Sequence, residues 1–185
     1  MNPLHNLFCG SSKYEQILRT RLMPGVTSGL DLDGADVLEI GPGFGAGTEW
    51  LTERAGSVTA VEYDAKLAER VQRRVPKARI INASGAAMPL DDAAYDVIVC
   101  TTMLHHVPTD DEQDALLREV QRVLRPGGVF CGSDARSGFL HNIAHIGDIN
   151  NVVDPHTFDQ RLAQAGLRDP QVTVQNRGFG WRATA

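Results

Sequence analysis

The sequence predicts an α/β fold: a Rossmann-like, doubly wound, mostly parallel seven-stranded sheet with helices on both faces and a C-terminal antiparallel hairpin. Three observations lead to this prediction. Short apolar runs alternate with segments of helical periodicity along most of the chain. Some of these runs are apolar on both faces, as buried parallel strands are. The last two runs are separated only by a glycine-containing turn, which is typical of a hairpin.

Five strands are predicted before the hairpin. They are runs rich in Val, Ile and Leu, and cover Asp36–Ile40, Ser57–Val61, Arg79–Asn82, Asp96–Cys100 and Val129–Cys131. The hairpin is predicted to pair Gln171–Gln175 with Trp181–Thr184.

Helices are predicted where apolar residues recur three and four positions apart. The first covers Tyr14–Leu22 and is expected to end at Pro24-Gly25. Two further helices cover Thr48–Arg54 and Ala65–Val75.

Capping patterns locate the last two helices. Thr109, with Glu112 three residues later, predicts a helix start, and Pro126-Gly-Gly128 predicts where that helix stops. Asp154-Pro155 predicts the N-cap and first turn of the final helix, which Gly166 is expected to end.

Length and composition favour a single domain over residues 1–185. A chain of 185 residues buries one good core but is short for two. Residues 1–30 are expected to form a helical segment that covers the active site. The three cysteines lack C-x-x-C spacing, so neither a disulfide framework nor a zinc site is indicated.

Charge and hydropathy restrict the classes of partner and the cellular location that are expected for this chain. A net charge of −5 disfavours a nucleic-acid partner, because proteins that bind phosphate backbones usually carry a basic surface. The sequence shows neither the apolar core of a signal peptide nor an apolar run of membrane-spanning length. We therefore predict a cytoplasmic protein without integral membrane association, and its oligomeric state stays open.

A glycine-rich segment, Gly41-Pro-Gly43-Phe-Gly45-Ala-Gly47, joins a predicted strand to a predicted helix. Glycines in this position permit a tight turn and let backbone N–H groups approach a ligand closely. Glu62 ends the next strand, where an acidic side chain accepts hydrogen bonds from a ribose diol. Together they predict a site for an adenosine-bearing cofactor. The spacing Gly41-x-Gly43-x-x-Ala46 also satisfies the dinucleotide fingerprint, so a nicotinamide cofactor is an alternative.

The segment Glu39-Ile-Gly-Pro-Gly-Phe-Gly45 resembles the first motif of class I S-adenosylmethionine-dependent methyltransferases. Its acidic residue two positions before the first glycine favours S-adenosylmethionine, since dinucleotide folds usually have an apolar residue there. Later segments are similar, in order, to motifs of the family's small-molecule branch: Met88-Pro-Leu90, Tyr95-Asp96, Leu104-His-His106, Leu124-Arg-Pro-Gly-Gly128 and Ala165-Gly-Leu167. The resemblance implies methyl transfer from that cofactor.

The resemblance also implies roles for residues at the matching positions. Gly41, Gly43 and Gly45 are expected to pack against the methionine part of the cofactor, Glu39 to help position its amine, and Glu62 to hold the ribose hydroxyls. The other residues expected to bind the cofactor are Tyr63, Ser84, Gly85, Ala86 and Thr101. The family most often has an aspartate at the position of Ser84, so the adenine contact falls either to Ser84 or to the backbone at Gly85 and Ala86.

Candidate general bases follow the fourth and fifth strands. His106, His105 and Asp134 are predicted as catalytic residues, with loop packing as the alternative for the two histidines. A base is needed only if the acceptor must lose a proton. His141 and His145 are further candidates, and their spacing also fits a metal site, but no H-E-x-x-H pattern completes one, so no metal is predicted.

The predicted acceptor is a small organic molecule that enters above Thr101–His106 and is covered by Tyr14–Leu22 and Ser133–Val153. The N-terminal helix places basic residues beside apolar ones, which also suits a lipid-like acceptor at a membrane surface. Two other functions stay open. One is a nicotinamide-dependent oxidoreductase, although no Tyr-x-x-x-Lys set is evident, and the other is a catalytically silent cofactor-binding protein.

Overall fold

A computed structural model describes residues 10–136, 138, 147–176 and 178–185 of the chain. Seven strands form one sheet: β1 Asp36–Ile40, β2 Ser57–Glu62, β3 Arg79–Asn82, β4 Tyr95–Thr101, β5 Leu124–Ala135, β6 Arg168–Val174 and β7 Gly178–Thr184. Their order across the sheet is β3-β2-β1-β4-β5-β7-β6.

The strand directions confirm the predicted fold class. β1 lies between β2 and β4 and is parallel to both, and β3 and β5 continue the parallel arrangement on either side. β7 runs antiparallel to β5 and to β6, which makes the C-terminal hairpin. Because the chain winds in opposite directions from β1 and β4, a crevice opens beyond the carboxyl ends of these two strands, where doubly wound sheets bind ligands.

In the described ranges, six α-helices flank the sheet: α1 Ser12–Ile17, α2 Met23–Val26, α3 Ala46–Thr52, α4 Ala65–Arg74, α5 Asp110–Val123 and α6 Phe158–Gln164. A π-helical turn, Leu18–Leu22, joins α1 to α2, and a 3₁₀ turn, Leu104–His106, follows β4. Among the residues described, no helix is both long and apolar enough to cross a membrane.

Local side-chain chemistry explains where several helices begin and end. The Asp64 carboxylate accepts hydrogen bonds from the first amides of α4. The Thr109 hydroxyl accepts one from the Glu112 amide at the start of α5, as predicted. Gly166, with a φ of 93°, ends the segment after α6 in a left-handed conformation that favours glycine.

The structure corrects the predicted end of the N-terminal helix. Pro24 and Gly25 lie inside α2 instead of terminating the helix. Pro24 occupies the first turn of α2, where its missing N–H is not needed for an intrahelical bond.

Two other predicted boundaries were wrong. α5 ends at Val123, and the Pro126–Gly128 segment belongs to the long strand β5. α6 begins at Phe158 after Thr157, and Asp154 caps a preceding turn by accepting a hydrogen bond from the His156 amide. Asp154 thus performs the local bonding expected of it, but in a turn that comes before the helix.

The sheet is buried on both faces. Alternate residues of each strand point to opposite sides, so Leu38 and Phe130 pack in the cluster that contains α5 and α6. Val37 and Cys131 pack on the other side with Met23 and α3. All four of these strand residues are fully buried, which explains the near-continuous apolar runs in the sequence.

Two arginines tie the N-terminal helices to the rest of the fold. Arg19 pairs with Glu49 of α3 at 3.2 Å and with Glu53, at the C-terminal end of α3, at 2.6 Å. Arg74 of α4 pairs with Glu15 and, at 2.9 Å, with the same Glu49. α1, α3 and α4 therefore meet at one ion-pair network, which lies partly exposed at the surface.

Gly132→Ala is expected to destabilise the sheet. A Cβ at this position would lie 2.1 Å from the Cys100 carbonyl oxygen and 2.3 Å from Cζ2 of Trp181. Either the β4 backbone or the Trp181 indole must therefore move. We expect the free energy of unfolding to fall by about 1–3 kcal/mol, measured by urea denaturation.

Gly25→Ala is the matched control. Nothing lies within 4 Å of a Cβ at Gly25, which is helical and has no positive φ. Alanine there should be neutral or raise the free energy of unfolding by about 0.5–1 kcal/mol. Equal unfolding midpoints for the two variants would contradict the close packing at Gly132.

Candidate functional site

The glycine-rich loop leaves the carboxyl end of β1 and leads into α3. Gly41 and Gly43 have φ values of 72° and 55°, in the left-handed region that favours glycine. At Gly41 a Cβ would lie 2.2 Å from Cγ of Met103, so the loop packs directly on the turn that follows β4. At Gly43 a Cβ would have nothing within 4 Å, and the loop faces open space there.

Glu62 ends β2 and is hydrogen-bonded to this loop. Its Oε2 accepts a hydrogen bond from the Gly43 amide at 3.2 Å, and its Oε1 accepts one from the Asp64 amide at 2.9 Å. The residue is 8% exposed, and burial raises the pKa of its carboxyl group. The acid and the glycine loop predicted as one site are therefore in direct contact.

Glu39 lies beneath the other end of the loop. Its Oε2 accepts a hydrogen bond from the Thr48 hydroxyl at 2.5 Å, and its Oε1 would lie 2.3 Å from a Cβ on Gly47. Burial raises the pKa of Glu39 to about 7, the Thr48 hydrogen bond opposes this rise, and the nearby Glu62 charge adds to it. Thr48 and Gly47 thus shape the environment of this carboxyl group.

The end of β3 forms a tight turn beside Glu62. The Ser84 hydroxyl accepts a hydrogen bond from the Ala86 amide at 3.2 Å, and the Ser84 carbonyl accepts one from Ala87 at 3.1 Å. A Cβ on Gly85 would lie 2.8 Å from Leu116, so glycine lets this turn approach α5. Ser84 is partly buried and stabilises its own turn.

Tyr63 follows Glu62 on the solvent side of the strand end. Its side chain is 81% exposed. Its backbone is held in place, because the Asn82 amide group donates to the carbonyl oxygens of Glu62 and Tyr63, at 2.8 and 2.9 Å. The crevice edge formed by β2 and β3 is therefore fixed through backbone contacts.

His105 and Asp134 form a buried pair beyond β4 and β5. Nδ1 of His105 lies 2.5 Å from Oδ1 of Asp134, and the His105 backbone amide donates to Oδ2 at 3.0 Å. The Ala135 amide also donates to Oδ1, at 2.7 Å. Because the carboxylate accepts all of these bonds, Nδ1 is assigned as the protonated nitrogen, which makes Nε2 the proton-accepting atom of the ring.

His106 lies beside this pair. Its ring centroid is 4.1 Å from that of His105, and the side chain is partly buried. Thr101 is the last residue of β4 and is buried, and the next residue, Thr102, donates from its amide to the Ser133 carbonyl at 2.7 Å. The three predicted catalytic residues thus lie at the same edge of the sheet as the glycine loop.

The N-terminal helix reaches this edge through Tyr14. The phenol oxygen of Tyr14 lies 2.8 Å from the Thr102 hydroxyl, at hydrogen-bonding distance. This contact links residues 88 positions apart in the chain.

Gln113 organises the turn that carries the histidines and was not among the residues predicted from the sequence. Its side-chain amide donates to the carbonyl oxygens of Leu104 and Asn151, at 3.0 and 2.9 Å, and its carbonyl oxygen accepts from Arg161 at 2.8 Å. The Asn151 amide in turn donates to the His105 carbonyl at 2.8 Å. The sequence did contain a sign of this role, because Gln113 is a polar residue on the apolar face of α5, one turn before Leu116 and Leu117.

His141 and His145 lie outside the described residues. Within the ranges that the structure describes, no group of three or more His, Cys, Asp or Glu side chains could hold a metal ion. The candidate site comprises the glycine loop, Glu39 and Glu62, the turn after β3 and the His105–Asp134 pair.

A family model described as a methyltransferase domain matches residues 38–132. The nodulation protein S of Azorhizobium caulinodans is 30% identical over 91% of this chain and 78% of its own length. The chain therefore belongs to the class I S-adenosylmethionine-dependent methyltransferase family. The family predicted from the sequence, which is defined by its use of S-adenosylmethionine, is confirmed.

Other similarities agree with this assignment. A probable S-adenosylmethionine-dependent methyltransferase of Mycolicibacterium smegmatis is 38% identical over 52% of this chain and 37% of its own length. A probable phthiotriol/phenolphthiotriol dimycocerosates methyltransferase of Mycobacterium ulcerans is 34% identical over 57% of this chain and 42% of its own. The chain thus spans about two fifths of the length of these two relatives.

The fold is shared with solved structures. A crystal structure of an S-adenosylmethionine-dependent methyltransferase from Aquifex aeolicus superposes with a TM-score of 0.78, covering 100% of this chain and 98% of the other. Its sequence identity of 18% supports the fold alone.

Glu39→Gln is expected to stabilise the protein, and more so at higher pH. The carboxyl pKa is raised from 4.5 to about 7, so the folded state holds this proton more tightly than the unfolded state does. The stabilisation from the bound proton is complete below pH 4.5 and is lost as the pH rises to about 7. Above that pH, ionised Glu39 costs up to about 3 kcal/mol, a penalty that glutamine avoids.

The measurement is the difference in Tm between Glu39→Gln and wild type at pH 5 and at pH 8, without ligand. The difference should be more positive at pH 8. Glu69→Gln on α4 is the control, since its side chain is 72% exposed and its removal should give the same small difference at both values. A Glu39→Gln difference that does not change with pH would contradict the burial-raised pKa.

Proposed function

We propose that this chain transfers a methyl group from S-adenosylmethionine to a small organic acceptor. The observation that carries the proposal is the direct hydrogen bond between the glycine loop after β1 and Glu62 at the end of β2. This contact assembles a cofactor cradle at the reversal point of the sheet, where ligands of such folds bind.

The cofactor-binding roles follow from this geometry and from the family. The glycine loop, at Gly41, Gly43 and Gly45, takes the methionine part, and Gly43 leaves room there. Glu62 accepts the backbone amides of Gly43, Tyr63 and Asp64, and because a carboxylate offers about four acceptor positions it keeps capacity for a ribose hydroxyl. Glu39 lies beneath the loop, on the side assigned to the cofactor amine.

The adenine side is assigned to the turn after β3. Ser84 holds this turn by accepting from the Ala86 amide, so the backbone at Gly85 and Ala86 is the preferred adenine contact. Tyr63, exposed at the strand end, covers the same side, and Thr101 lines the floor beyond β4.

When bound, the cofactor supplies a sulfonium-activated methyl group. The protein holds the acceptor in line with that group and excludes water, which accounts for much of the rate acceleration in reactions of this kind. The Met103 side chain packs on Gly41, so the cofactor loop and the turn that carries the histidines form one continuous wall. The acceptor is proposed to lie against this wall, above Thr101–His106.

We propose His105 as the general base and Asp134 as the residue that orients it. Asp134 fixes the ring through Nδ1, which directs proton transfer to Nε2. Nε2 of His105 would take the O–H or N–H proton of the acceptor, which frees the acceptor's lone pair to attack the methyl group that the cofactor would supply. His106, whose ring lies beside that of His105 at an interplanar angle of 43°, is assigned to contact with the acceptor at the crevice mouth.

The N-terminal helices are proposed to cover the acceptor side, as expected for residues 1–30. The supporting contacts are the one between Tyr14 and Thr102 and the ion pairs that Arg19 and Arg74 form with Glu49. A lipid-like acceptor is a second candidate. The Mycobacterium ulcerans relative is named for such substrates, and Ile149, two residues before the His105-bound Asn151, is 50% exposed.

Cofactor binding tests the proposal first. S-adenosylhomocysteine should raise the Tm, whereas NAD should not, because only a ligand selective for the folded state stabilises it. Glu62→Ala should weaken S-adenosylhomocysteine binding by about 1.5–3 kcal/mol in calorimetry, through lost hydrogen bonds to a charged acceptor.

Glu69→Gln serves as the exposed control and should bind like wild type. Stabilisation by NAD alone would reverse the assignment in favour of an oxidoreductase. Binding of S-adenosylhomocysteine without methylation of any small-molecule or lipid acceptor in a radiolabelled transfer screen would favour a silent binding protein.

The base is tested with an acceptor found by that screen. His105→Gln and Asp134→Asn should lower kcat, the former by about 10²–10⁴-fold, and should leave S-adenosylhomocysteine affinity nearly unchanged. His106→Gln should lose less activity. The opposite ranking of the two histidine variants would assign the base to His106.

A further inference from the structure

Two buried carboxyl groups lie at the cofactor loop without a cationic partner. Glu39 and Glu62 are 3% and 8% exposed. Among the residues that the structure describes, the groups that donate to them are the Thr48 hydroxyl and the backbone amides of Gly43, Tyr63 and Asp64, and none is an Arg, Lys or His side chain. Burying a carboxylate without a cation is costly, so such a group tends to hold a proton.

Two nearby arginines pair with other acids, and a third, Arg70, lies over the ring of Phe44 with its guanidinium 4.5 Å from the ring centre. Arg19, from the π-helical turn, pairs with Glu49 and Glu53. Arg74, from α4, pairs with Glu15 and Glu49 and donates to the Phe44 carbonyl at 3.2 Å. These arginines surround the loop but do not pair with Glu39.

Within the described part of the chain, the other elements packed around Glu39 contribute no positive charge. β2 supplies the like charge of Glu62, and β4 supplies the Cys100 thiol, whose pKa is raised well above its usual value by burial. α2 supplies the thioether of Met23, which lies 3.5 Å from a Cβ built on Gly47. α3 supplies the Thr48 hydroxyl. Glu39 is the more deeply buried of the two glutamates.

We infer that Glu39 holds a proton in the empty site and releases it to solvent when a cofactor bearing an ammonium group binds. The inference rests on the proposed function, because it takes the glycine loop to be the cofactor site. The exchange balances: a neutral carboxyl group and a cationic ligand give a carboxylate–ammonium pair and one proton. Glu39 thereby makes the site select ligands that carry the amino-acid part of the cofactor.

The pKa of about 7 for Glu39 sets the pH range of this coupling. Below that pH the proton must be displaced, and above it the carboxylate is already present. S-adenosylhomocysteine should therefore bind about tenfold more weakly at pH 6 than at pH 8. Binding should release close to one proton at about pH 6, about half a proton at pH 7 and almost none at pH 8.

The experiment is isothermal titration of the protein with S-adenosylhomocysteine in buffers of different ionisation enthalpy, at pH 6, 7 and 8. The dependence of the observed heat on the buffer counts the protons released. 5′-Methylthioadenosine, which lacks the amino-acid part, should bind without releasing a proton. This ligand separates the ammonium effect from a general effect of filling the site.

Glu39→Gln should bind S-adenosylhomocysteine with no proton release and with the same affinity at pH 6 and pH 8. This variant assigns the released proton to Glu39 and not to another group. Glu69→Gln should behave like wild type. Thr48→Val removes the hydrogen bond that favours the ionised carboxyl group, so it should move the proton-release profile to higher pH.

Binding of S-adenosylhomocysteine without proton release at pH 6, or with undiminished release in Glu39→Gln, would overturn the inference. An unshifted proton-release profile in Thr48→Val would also overturn it. This second variant keeps the inference testable if Glu39→Gln does not fold. Absence of S-adenosylhomocysteine binding at every pH would instead overturn the proposed function.

Discussion

The site depends on the position of β1, held between two parallel strands and buried on both faces. Its pairing with β2 aligns Ile40 with Val61, and its pairing with β4 aligns Ile40 with Cys100. The next residue of each strand therefore emerges at the same edge: Gly41, Glu62 and Thr101. A shift of one residue in either register would send alternate side chains to the opposite face, so the apolar core and the site geometry are specified together.

Two kinds of buried carboxyl group lie at this edge of the sheet, and they differ in how far hydrogen bonds compensate for their burial. Asp134 is buried but satisfied by two backbone amides and the ring of His105, so its charge is compensated by hydrogen bonds. Among the described residues, the side chain that donates to buried Glu39 is Thr48. The first arrangement fixes a geometry, and the second leaves an electrostatic demand that a cationic ligand would satisfy. A sheet edge of this kind can orient one substrate and select the charge of another.

Long-range contacts connect the two halves of the crevice. Met103 packs on Gly41, Tyr14 reaches Thr102, and Gln113 joins the histidine turn to Asn151. None of these pairs is adjacent in the chain. The turn after β4 is consequently braced by the cofactor loop, the N-terminal helix and α5, which is the rigidity that positioning of two reactants requires.

The sequence by itself determined the strand and helix pattern, the fold class and the pairing of the glycine loop with Glu62. Apolar periodicity and glycine spacing are local signals, and the parallel sheet follows from their alternation. It also identified His105, His106 and Asp134 as candidates, but not which of them are bonded. Only the tertiary structure decided that Asp134 holds His105, that Pro24 continues a helix, and that Glu39 has no cationic partner among the described residues. These outcomes depend on which distant groups meet and how deeply they are buried, and chain spacing does not encode that.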